Sequence, residues 1–291
     1  MEHQIVTPDG RRLHVSEHGV AQGPAVLVHN GTPSSRLLYE PDVRLAERQG
    51  IRIVSYDRPG YGGSDRDAGR SVGSCARDVR AIADALEIER LAVWGISGGG
   101  PHAIACAALL PDLVPAVAVL ASIAPWRADG LDYFDGMGSE NVEDMQLVLT
   151  DRTRGRAKHE RERVELLAAT PETLYTTFET LLSPVDRAAL TPALTEFLYA
   201  ATQDGLGPGA DGWWDDDVAF LEPWGFDLDQ IRTPVLLLHG RQDQFVPFAH
   251  GEWLARHIPG VEARLLPDDG HLTLTEHHLR AVHEWLLERL G

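Results

Sequence analysis

The segment VWGISGGGPHA, residues 93–103, decides the fold class of this chain. It runs from an apolar, strand-like stretch into Ser97 and three consecutive glycines, and then into an alanine-rich helix. A glycine-rich turn between a strand and a helix either binds phosphate through backbone N–H groups or presents a nucleophilic side chain. The neighbouring residues distinguish these two uses.

A phosphate-binding loop is disfavoured by the residues around the glycines. The P-loop needs a lysine and a serine or threonine after its last glycine, whereas Pro101 and His102 follow Gly100. A dinucleotide-binding turn requires G-x-G-x-x-G after the first strand of its unit, and Ser97 stands where the second glycine is needed. The segment therefore favours a nucleophile.

Gly95, Ser97 and Gly99 form the pattern G-x-S-x-G, in which the serine occupies a strained turn between strand and helix. The residues two before and two after the serine must be small, because larger side chains would collide with the neighbouring strand and helix. The N–H of Gly98 is expected to point into the same space as the hydroxyl. Gly99 lets the helix pass close to the strand, and Gly100 has no evident role.

Apolar strand-like segments alternate with helical segments on both sides of this turn. This alternation predicts an α/β fold with a mostly parallel sheet covered on both faces, preceded by a hairpin around the turn PDG. The predicted buried strands span residues 24–30, 51–57, 91–96, 114–122, 234–240 and 261–267.

Residues 125–229 break the alternation, since they show helical periods and charged residues but no convincing strand. Both flanks continue one sheet pattern. We therefore predict a core made of residues 1–124 and 230–291, with a helical cap inserted at 125–229.

A serine nucleophile needs a base and an acid that orients the base. Asp243 follows the strand at 234–240, and His271 follows the next strand. Both thus lie with Ser97 at the carboxyl edge of the sheet, where open α/β sheets build their sites. Asp268 and Asp269 are rival acids, but they lie too close in sequence to His271 to come from a separate loop.

The oxyanion of a tetrahedral intermediate needs backbone N–H donors. HNGTPSS, residues 29–35, follows the first buried strand, and its Thr32 is one candidate donor beside Gly98. The alternative is a plain glycine-proline turn, and the position favours the donor.

These residues resemble the α/β-hydrolase superfamily over residues 1–124 and 230–291. The motifs that carry the resemblance are HNGTP, YDRPGYGGSD, GISGGG, GRQD and GHL. The resemblance implies an eight-stranded sheet with a helical cap after the fourth parallel strand. It also implies that Ser97 is the nucleophile, His271 the base and Asp243 its partner, with Thr32 and Gly98 as oxyanion donors.

Serine at position 97 argues against the dehalogenase and epoxide hydrolase branches, which carry aspartate there. The HNGTP loop departs from the Gly-Gly-Pro-Gly version of the similar proline iminopeptidases. We therefore expect a hydrolase of small, partly apolar carboxylic esters. The alternatives are an iminopeptidase-like aminopeptidase, a C–C bond hydrolase, a cofactor-free haloperoxidase and, outside enzymes, a ligand-binding receptor on the same fold.

Trp126, Trp213 and Trp214 are candidates to line the acyl pocket. Residues 215–217, three aspartates, would bind a substrate amine in an iminopeptidase. A solvated turn, with the tryptophans packing the cap onto the core, is the favoured interpretation of this stretch. Arg58, in YDRPGYGGSD, is expected to be structural.

The formal net charge of −18, from 26 Lys+Arg against 44 Asp+Glu, disfavours nucleic acid and anionic membranes as partners. The expected partner is a small-molecule substrate, and the sequence leaves the oligomeric state open. No secretory signal or membrane-spanning run is evident, so a cytoplasmic location is expected. Cys75 and Cys106 are predicted to be buried apolar residues rather than a disulfide.

No metal site and no cofactor are implied. His277 and His278 are adjacent on the closing helix, so their side chains are expected to point in different directions. His250 and His257 share a helix face, but no carboxylates accompany them in a metal-binding arrangement.

Overall fold

The computed structural model describes residues 1–173 and 180–290. Within them eight strands form one sheet in the order β1-β2-β4-β3-β5-β6-β7-β8. The strands are β1 (Glu2–Val6), β2 (Arg12–Gly19), β3 (Ala25–His29), β4 (Arg52–Tyr56), β5 (Leu91–Ile96), β6 (Val117–Leu120), β7 (Val235–Gly240) and β8 (Glu262–Leu266).

The sheet is mostly parallel, because only β2 pairs antiparallel with its neighbours β1 and β4. Strands β3, β6 and β7 are buried along their whole length, as expected for parallel strands covered on both faces. The predicted fold class and the N-terminal hairpin are therefore confirmed. The predicted strand at 114–122 is shorter than expected, since only Val117–Leu120 pair in the sheet.

Residues 1–173 and 180–290 contain ten α-helices. They are α1 (Glu40–Arg48), α2 (Cys75–Ala85), α3 (Gly100–Leu109), α4 (Ser139–Thr150), α5 (Arg152–Ala168), α6 (Pro184–Ala189), α7 (Pro192–Leu206), α8 (Asp211–Leu221), α9 (Phe248–His257) and α10 (Thr273–Leu290).

Two apolar clusters cover the two faces of the sheet. One joins the sheet to α2, α3 and α9 through residues such as Val79, Ile104 and Leu254. The other joins it to α1 and α10 through residues such as Ala46 and Leu286. This burial on both faces holds the carboxyl edge of the parallel strands in place.

Helices α4–α8 all lie between β6 and β7. The described part of residues 125–229 contains no strand, and residues 174–179 lie outside the described residues. We call residues 125–229 the cap segment; its status as a separate unit stays a prediction. Cys75 and Cys106 are free and buried. Among the described helices, none is both long enough and apolar enough to span a bilayer.

Candidate active site

Ser97 lies directly after β5 with a backbone φ of 55°, in the left-handed region that L-residues rarely adopt. The turn is closed by two glycines. A Cβ on Gly95 would collide with the carbonyl oxygen of Gly99, and a Cβ on Gly99 would collide with that of His29 at the end of β3. The close approach predicted for Gly99 is therefore present.

Gly100 also has a role that sequence analysis left open. A Cβ on Gly100 would overlap the side chain of Ser122, which follows β6. The first turn of α3 can therefore pack directly against the chain that leaves the neighbouring strand.

His271 and Asp243 are paired. The Nδ1 of His271 lies 2.8 Å from Oδ2 of Asp243, and both residues are buried. The other carboxylate oxygen, Oδ1, accepts the backbone N–H groups of Phe245 and Val246, each at 2.9 Å. Asp243 is thereby fixed by its own loop, and it fixes the imidazole in turn.

The rival acids do not compete with Asp243. Asp269 bonds to His277 and His278 instead, at 2.8 and 2.9 Å, and Asp268 is exposed. Asp243 is thus the carboxylate that contacts His271.

Two opposing effects act on His271. Burial of the ring disfavours the imidazolium, but the charge and hydrogen bond of Asp243, helped by the charge of Asp186, raise the pKa of His271 above 6.5. The ring also stacks on Phe245, with centroids 4.6 Å apart. No described residue bonds to its Nε2, so this nitrogen is free to exchange a proton.

The loop that carries His271 is held by the cap segment. Asp186, in α6, accepts the backbone N–H of Leu272 at 2.7 Å. Its second oxygen accepts the hydroxyl of Ser183 at 2.6 Å. Asp186 is fully buried, and nothing in the sequence around it singled it out.

The candidate oxyanion residues lie beside Ser97. A Cβ on Gly31 would be 3.5 Å from the Cβ of Ser97, so the loop after β3 passes close to the nucleophile turn. A Cβ on Gly98 would overlap the side chain of Thr32. The structure therefore brings Thr32 and Gly98 together next to Ser97.

A buried ion-pair cluster lies behind this loop. Asp216, in α8, has no exposed surface and contacts Arg58 at 2.7 Å and Arg70 at 2.7 Å. It also accepts the hydroxyls of Thr32 at 2.8 Å and Tyr61 at 3.0 Å. Arg58 is thus buried in a network that joins Asp216 to the candidate oxyanion loop, through the carbonyls of Asn30 and Gly31.

Two cavities meet at Ser97. The first, of about 210 Å³, is also lined by His271 and Phe245, and its wall is mainly apolar. The apolar wall comes largely from α7 and from the residues that flank α6: Leu182, Leu190, Leu194, Phe197, Leu198 and Ala201. We call it the apolar cavity.

The second cavity, of about 290 Å³, shares Ser97, Thr32 and Phe245 with the first and is lined by several carboxylates of the cap segment. We call it the acidic cavity. Its acidic residues are Glu140, Asp144, Glu162, Glu165 and Asp217. Lys158 bonds to Asp144 at 2.5 Å and to Glu162, so part of this charge is balanced.

Of the three tryptophans predicted to line the acyl pocket, one lines a cavity at Ser97 and two do not. Trp213 lines the acidic cavity, as predicted for a pocket residue. Trp214 does not line either cavity at Ser97, and packs instead against His159 with ring centroids 5.4 Å apart. Trp126 also lies outside both, because it packs on Tyr133 and Phe134 and lines a separate cavity.

The favoured interpretation of residues 215–217 as a solvated turn is wrong. All three aspartates are buried in α8. Each has a cationic or imidazole partner: Asp215 bonds to Arg66 at 2.7 Å, Asp216 bonds to Arg58 and Arg70, and Asp217 lies 2.8 Å from His159. These partners offset the cost of burying the charges.

The expectation that His277 and His278 point apart is also wrong. Helical side chains lean toward the N-terminus of the helix, so both imidazoles reach the carboxylate of Asp269, which precedes α10. His250 is buried, with hydrogen bonds to Ala124 and to the carbonyl of Tyr133, and is a satisfied core residue.

Comparison with known proteins places this arrangement in one family. The family model for the alpha/beta hydrolase fold matches residues 24–278. The bifunctional esterase/perhydrolase DCH of Acinetobacter calcoaceticus is 28% identical over 84% of this chain and 83% of its own length. A 2-hydroxy-6-oxononadienedioate/2-hydroxy-6-oxononatrienedioate hydrolase of Paraburkholderia phymatum is 26% identical over 96% of this chain and 91% of its own length.

A solved structure shows the same fold. The enol-lactonase of Burkholderia xenovorans LB400 superposes with a TM-score of 0.71 at 19% identity, covering 98% of this chain and 100% of that protein. At this identity the likeness establishes the fold alone.

Proposed function

Since this chain belongs to the α/β hydrolase family of enzymes, we propose that it is a serine hydrolase that cleaves a small, partly apolar carboxylic ester. The observation that carries the proposal is the pairing of His271 with Asp243 at the cavity that also holds Ser97. A serine held at positive φ, a histidine with one free nitrogen and a buried carboxylate are the parts that acyl transfer requires.

The reaction begins when the free Nε2 of His271 accepts the proton of the Ser97 hydroxyl and Oγ attacks the ester carbonyl. The N–H groups of Thr32 and Gly98 bind the oxyanion. When the tetrahedral intermediate collapses, the alcohol leaves with the proton from His271, and the acyl group stays on Ser97. Water, deprotonated by His271, then attacks the acyl-enzyme, and the acid is released as His271 returns the proton to the Ser97 oxygen.

The apolar cavity supports an acyl group of modest length. Burial of one methylene contributes about 0.8 kcal/mol, which corresponds to about a fourfold change in kcat/KM. In a series of p-nitrophenyl esters we expect kcat/KM to rise about fourfold per methylene until the cavity is filled, and then to fall.

Labelling with a fluorophosphonate probe tests the nucleophile. The wild-type protein and a Ser122→Ala control should be labelled, because Ser122 lies after the neighbouring strand and, among the described residues, its hydroxyl donates to the carbonyl of Ile123 alone. Ser97→Ala should remain unlabelled and hydrolyse no ester. Equal labelling of Ser97→Ala and wild type would overturn the proposal.

A second candidate, an aminopeptidase related to the iminopeptidases, is favoured by the acidic cavity. Its carboxylates line the same cavity as Ser97 and would attract a substrate with a free amine. Hydrolysis of Pro-naphthylamide without hydrolysis of p-nitrophenyl esters would select this candidate. Hydrolysis of the esters alone would eliminate it.

A further inference from the structure

The cap segment places a carboxylate directly behind the candidate oxyanion loop. Asp216 is fully buried, and its Oδ2 accepts Nε and Nη2 of Arg58 at 3.2 and 2.7 Å. Arg70 at 2.7 Å and the hydroxyl of Tyr61 at 3.0 Å hold the carboxylate from the core side. Asp216 therefore fixes the orientation of the Arg58 guanidinium.

Arg58 in turn holds the peptide that carries a candidate oxyanion donor. Its Nη2 donates to the carbonyl of Gly31 at 2.8 Å, and its Nη1 donates to the carbonyl of Asn30. In the planar trans peptide between Gly31 and Thr32, the C=O and the N–H point in opposite directions. A cation bound at this carbonyl thus aims the Thr32 N–H away from Arg58 and strengthens it as a donor.

A histidine that contacts the second candidate oxyanion residue lies close to the same carboxylate. His102 contacts the carbonyl oxygen of Gly98 through Nδ1 at 2.8 Å, and its Nε2 lies 3.7 Å from Oδ1 of Asp216. Burial, together with the charge of Arg58, lowers the pKa of His102 to about 3, so the ring is neutral at neutral pH. Its Nδ1 therefore donates to Gly98 while Nε2 carries no proton.

We propose that Asp216 and Arg58 are positioning residues for the oxyanion hole, so that the docked cap segment itself aligns the Thr32 donor. This inference rests on the proposed serine hydrolase function. Neither residue touches the substrate; Asp216 orients Arg58, and Arg58 orients the Gly31–Thr32 peptide. A donor displaced by a fraction of an ångström loses much of its effect on the transition state.

The same helix provides a matched control. Asp215 precedes Asp216 in α8 and also joins the cap segment to the core, through Arg66 at 2.7 and 2.8 Å. This ion pair does not contact the oxyanion loop, and Asp215 lines neither cavity at Ser97. Asp215→Asn therefore removes a cap–core ion pair without disturbing the peptide that Arg58 holds.

The experiment compares Asp216→Asn and Asp215→Asn by ester kinetics, by inhibition with phenylboronic acid and by thermal unfolding. Phenylboronic acid accepts the serine oxygen and becomes a tetrahedral anion, so its affinity reports on the oxyanion hole. Asp216→Asn should lower kcat by about 100-fold and should lower the affinity for phenylboronic acid by a similar factor. Its KM should change by less than about twofold. Asp215→Asn should change kcat by less than about twofold.

Arg58→Lys keeps the buried positive charge and provides a second test of the inference if Asp216→Asn does not fold. Lysine is a point donor and cannot hold the carboxylate and two carbonyls together, so kcat should fall by at least about tenfold. Equal kcat losses in the Asp215 and Asp216 variants, or losses in KM alone, would overturn the inference. Ser97→Ala labelling, as described above, separates this outcome from failure of the proposed function.

Discussion

Within the part of the chain that the structure describes, two buried histidine–aspartate pairs have the same length, and only one of them has a ring nitrogen without a partner. His271 lies 2.8 Å from Asp243 in the core, and His159 lies 2.8 Å from Asp217 in the cap segment. In both pairs burial opposes protonation but the carboxylate prevails and raises the pKa of the histidine. Distance, burial and the direction of the pKa shift therefore do not distinguish them.

The difference lies in the second ring nitrogen. His159 uses both nitrogens, since Nδ1 contacts the carbonyl of Gly155 at 3.0 Å and Nε2 contacts Asp217. Its ring is enclosed by Trp213 and Trp214, with centroids 4.8 and 5.4 Å away. His271 keeps Nε2 free of described partners and lines a cavity with Ser97. A general base must be able to exchange a proton with the substrate side, and only His271 can do so.

Substitution of each histidine by glutamine gives the largest expected contrast. His271→Gln should lower kcat/KM by about 10⁴-fold or more, because no other titratable base among the described residues lines the apolar cavity with Ser97 in a histidine–aspartate pair. His159→Gln should change kcat/KM by less than about threefold. It should lower the free energy of unfolding by about 3 kcal/mol, because Asp217 loses its buried partner.

Ester kinetics and urea unfolding on both variants measure this contrast. A large activity loss in His159→Gln, with unfolding unchanged, would remove the distinction between the two pairs. Circular dichroism of His271→Gln establishes that its loss of activity is not a loss of fold.

The two pairs also differ in how much the sequence could predict about them. Ser97, Asp243 and His271 each follow a predicted buried strand, and parallel strands bring such loops to one edge of the sheet. Strand periodicity and the local pattern G-x-S-x-G were therefore sufficient to place them. The pair in the cap segment joins two helices across 58 positions of sequence, and helical periodicity does not specify which helices pack together.

The same limit explains the misplaced residues of the cap segment. Three consecutive aspartates at 215–217 have the composition of an exposed turn, but Arg58, Arg66 and Arg70 reach α8 from a distant loop of the core. Asp186 carried no sequence signal at all, although its carboxylate holds the loop of His271. Long-range charge pairing of this kind is visible only in the folded chain.

The pH dependence of catalysis is a second and smaller test. The base must be neutral, so kcat/KM should fall about tenfold per pH unit below the raised pKa of His271, which lies above 6.5. Asp186→Asn removes one of the charges that raise this pKa, and the midpoint should move to lower pH. His159→Gln should leave the midpoint where it is in the wild type.

Initial rates at subsaturating ester across pH 5 to 9 give these midpoints. If the midpoint shifted in His159→Gln and not in Asp186→Asn, the titration would belong to the pair in the cap segment. The same pH series on a second ester of different acyl length serves as the control, since chain length should not move the midpoint.

The smallest expected effect is on the pH dependence of stability. Activity should rise with pH, whereas the contribution of His271 to the free energy of unfolding should fall with pH. Since the folded-state pKa of His271 is raised, its pairing with Asp243 contributes stability that is fully present below about pH 6.5. This contribution is lost as pH rises through the folded-state pKa. The difference in free energy of unfolding between wild type and His271→Gln should therefore be larger at pH 5.5 than at pH 9.

In His271→Gln, Asp243 keeps its hydrogen bonds from Phe245 and Val246, so the comparison isolates the histidine. Urea unfolding of wild type, His271→Gln and Ser97→Ala at both pH values measures this difference in free energy of unfolding. Ser97→Ala should show the same pH dependence of stability as the wild type. A difference that grows with pH would mean that the folded state disfavours the imidazolium, and Asp243 would then not be its counter-ion. The protonated pair stabilises the fold in the pH range where the enzyme is least active, because the proton that completes the ion pair occupies the base.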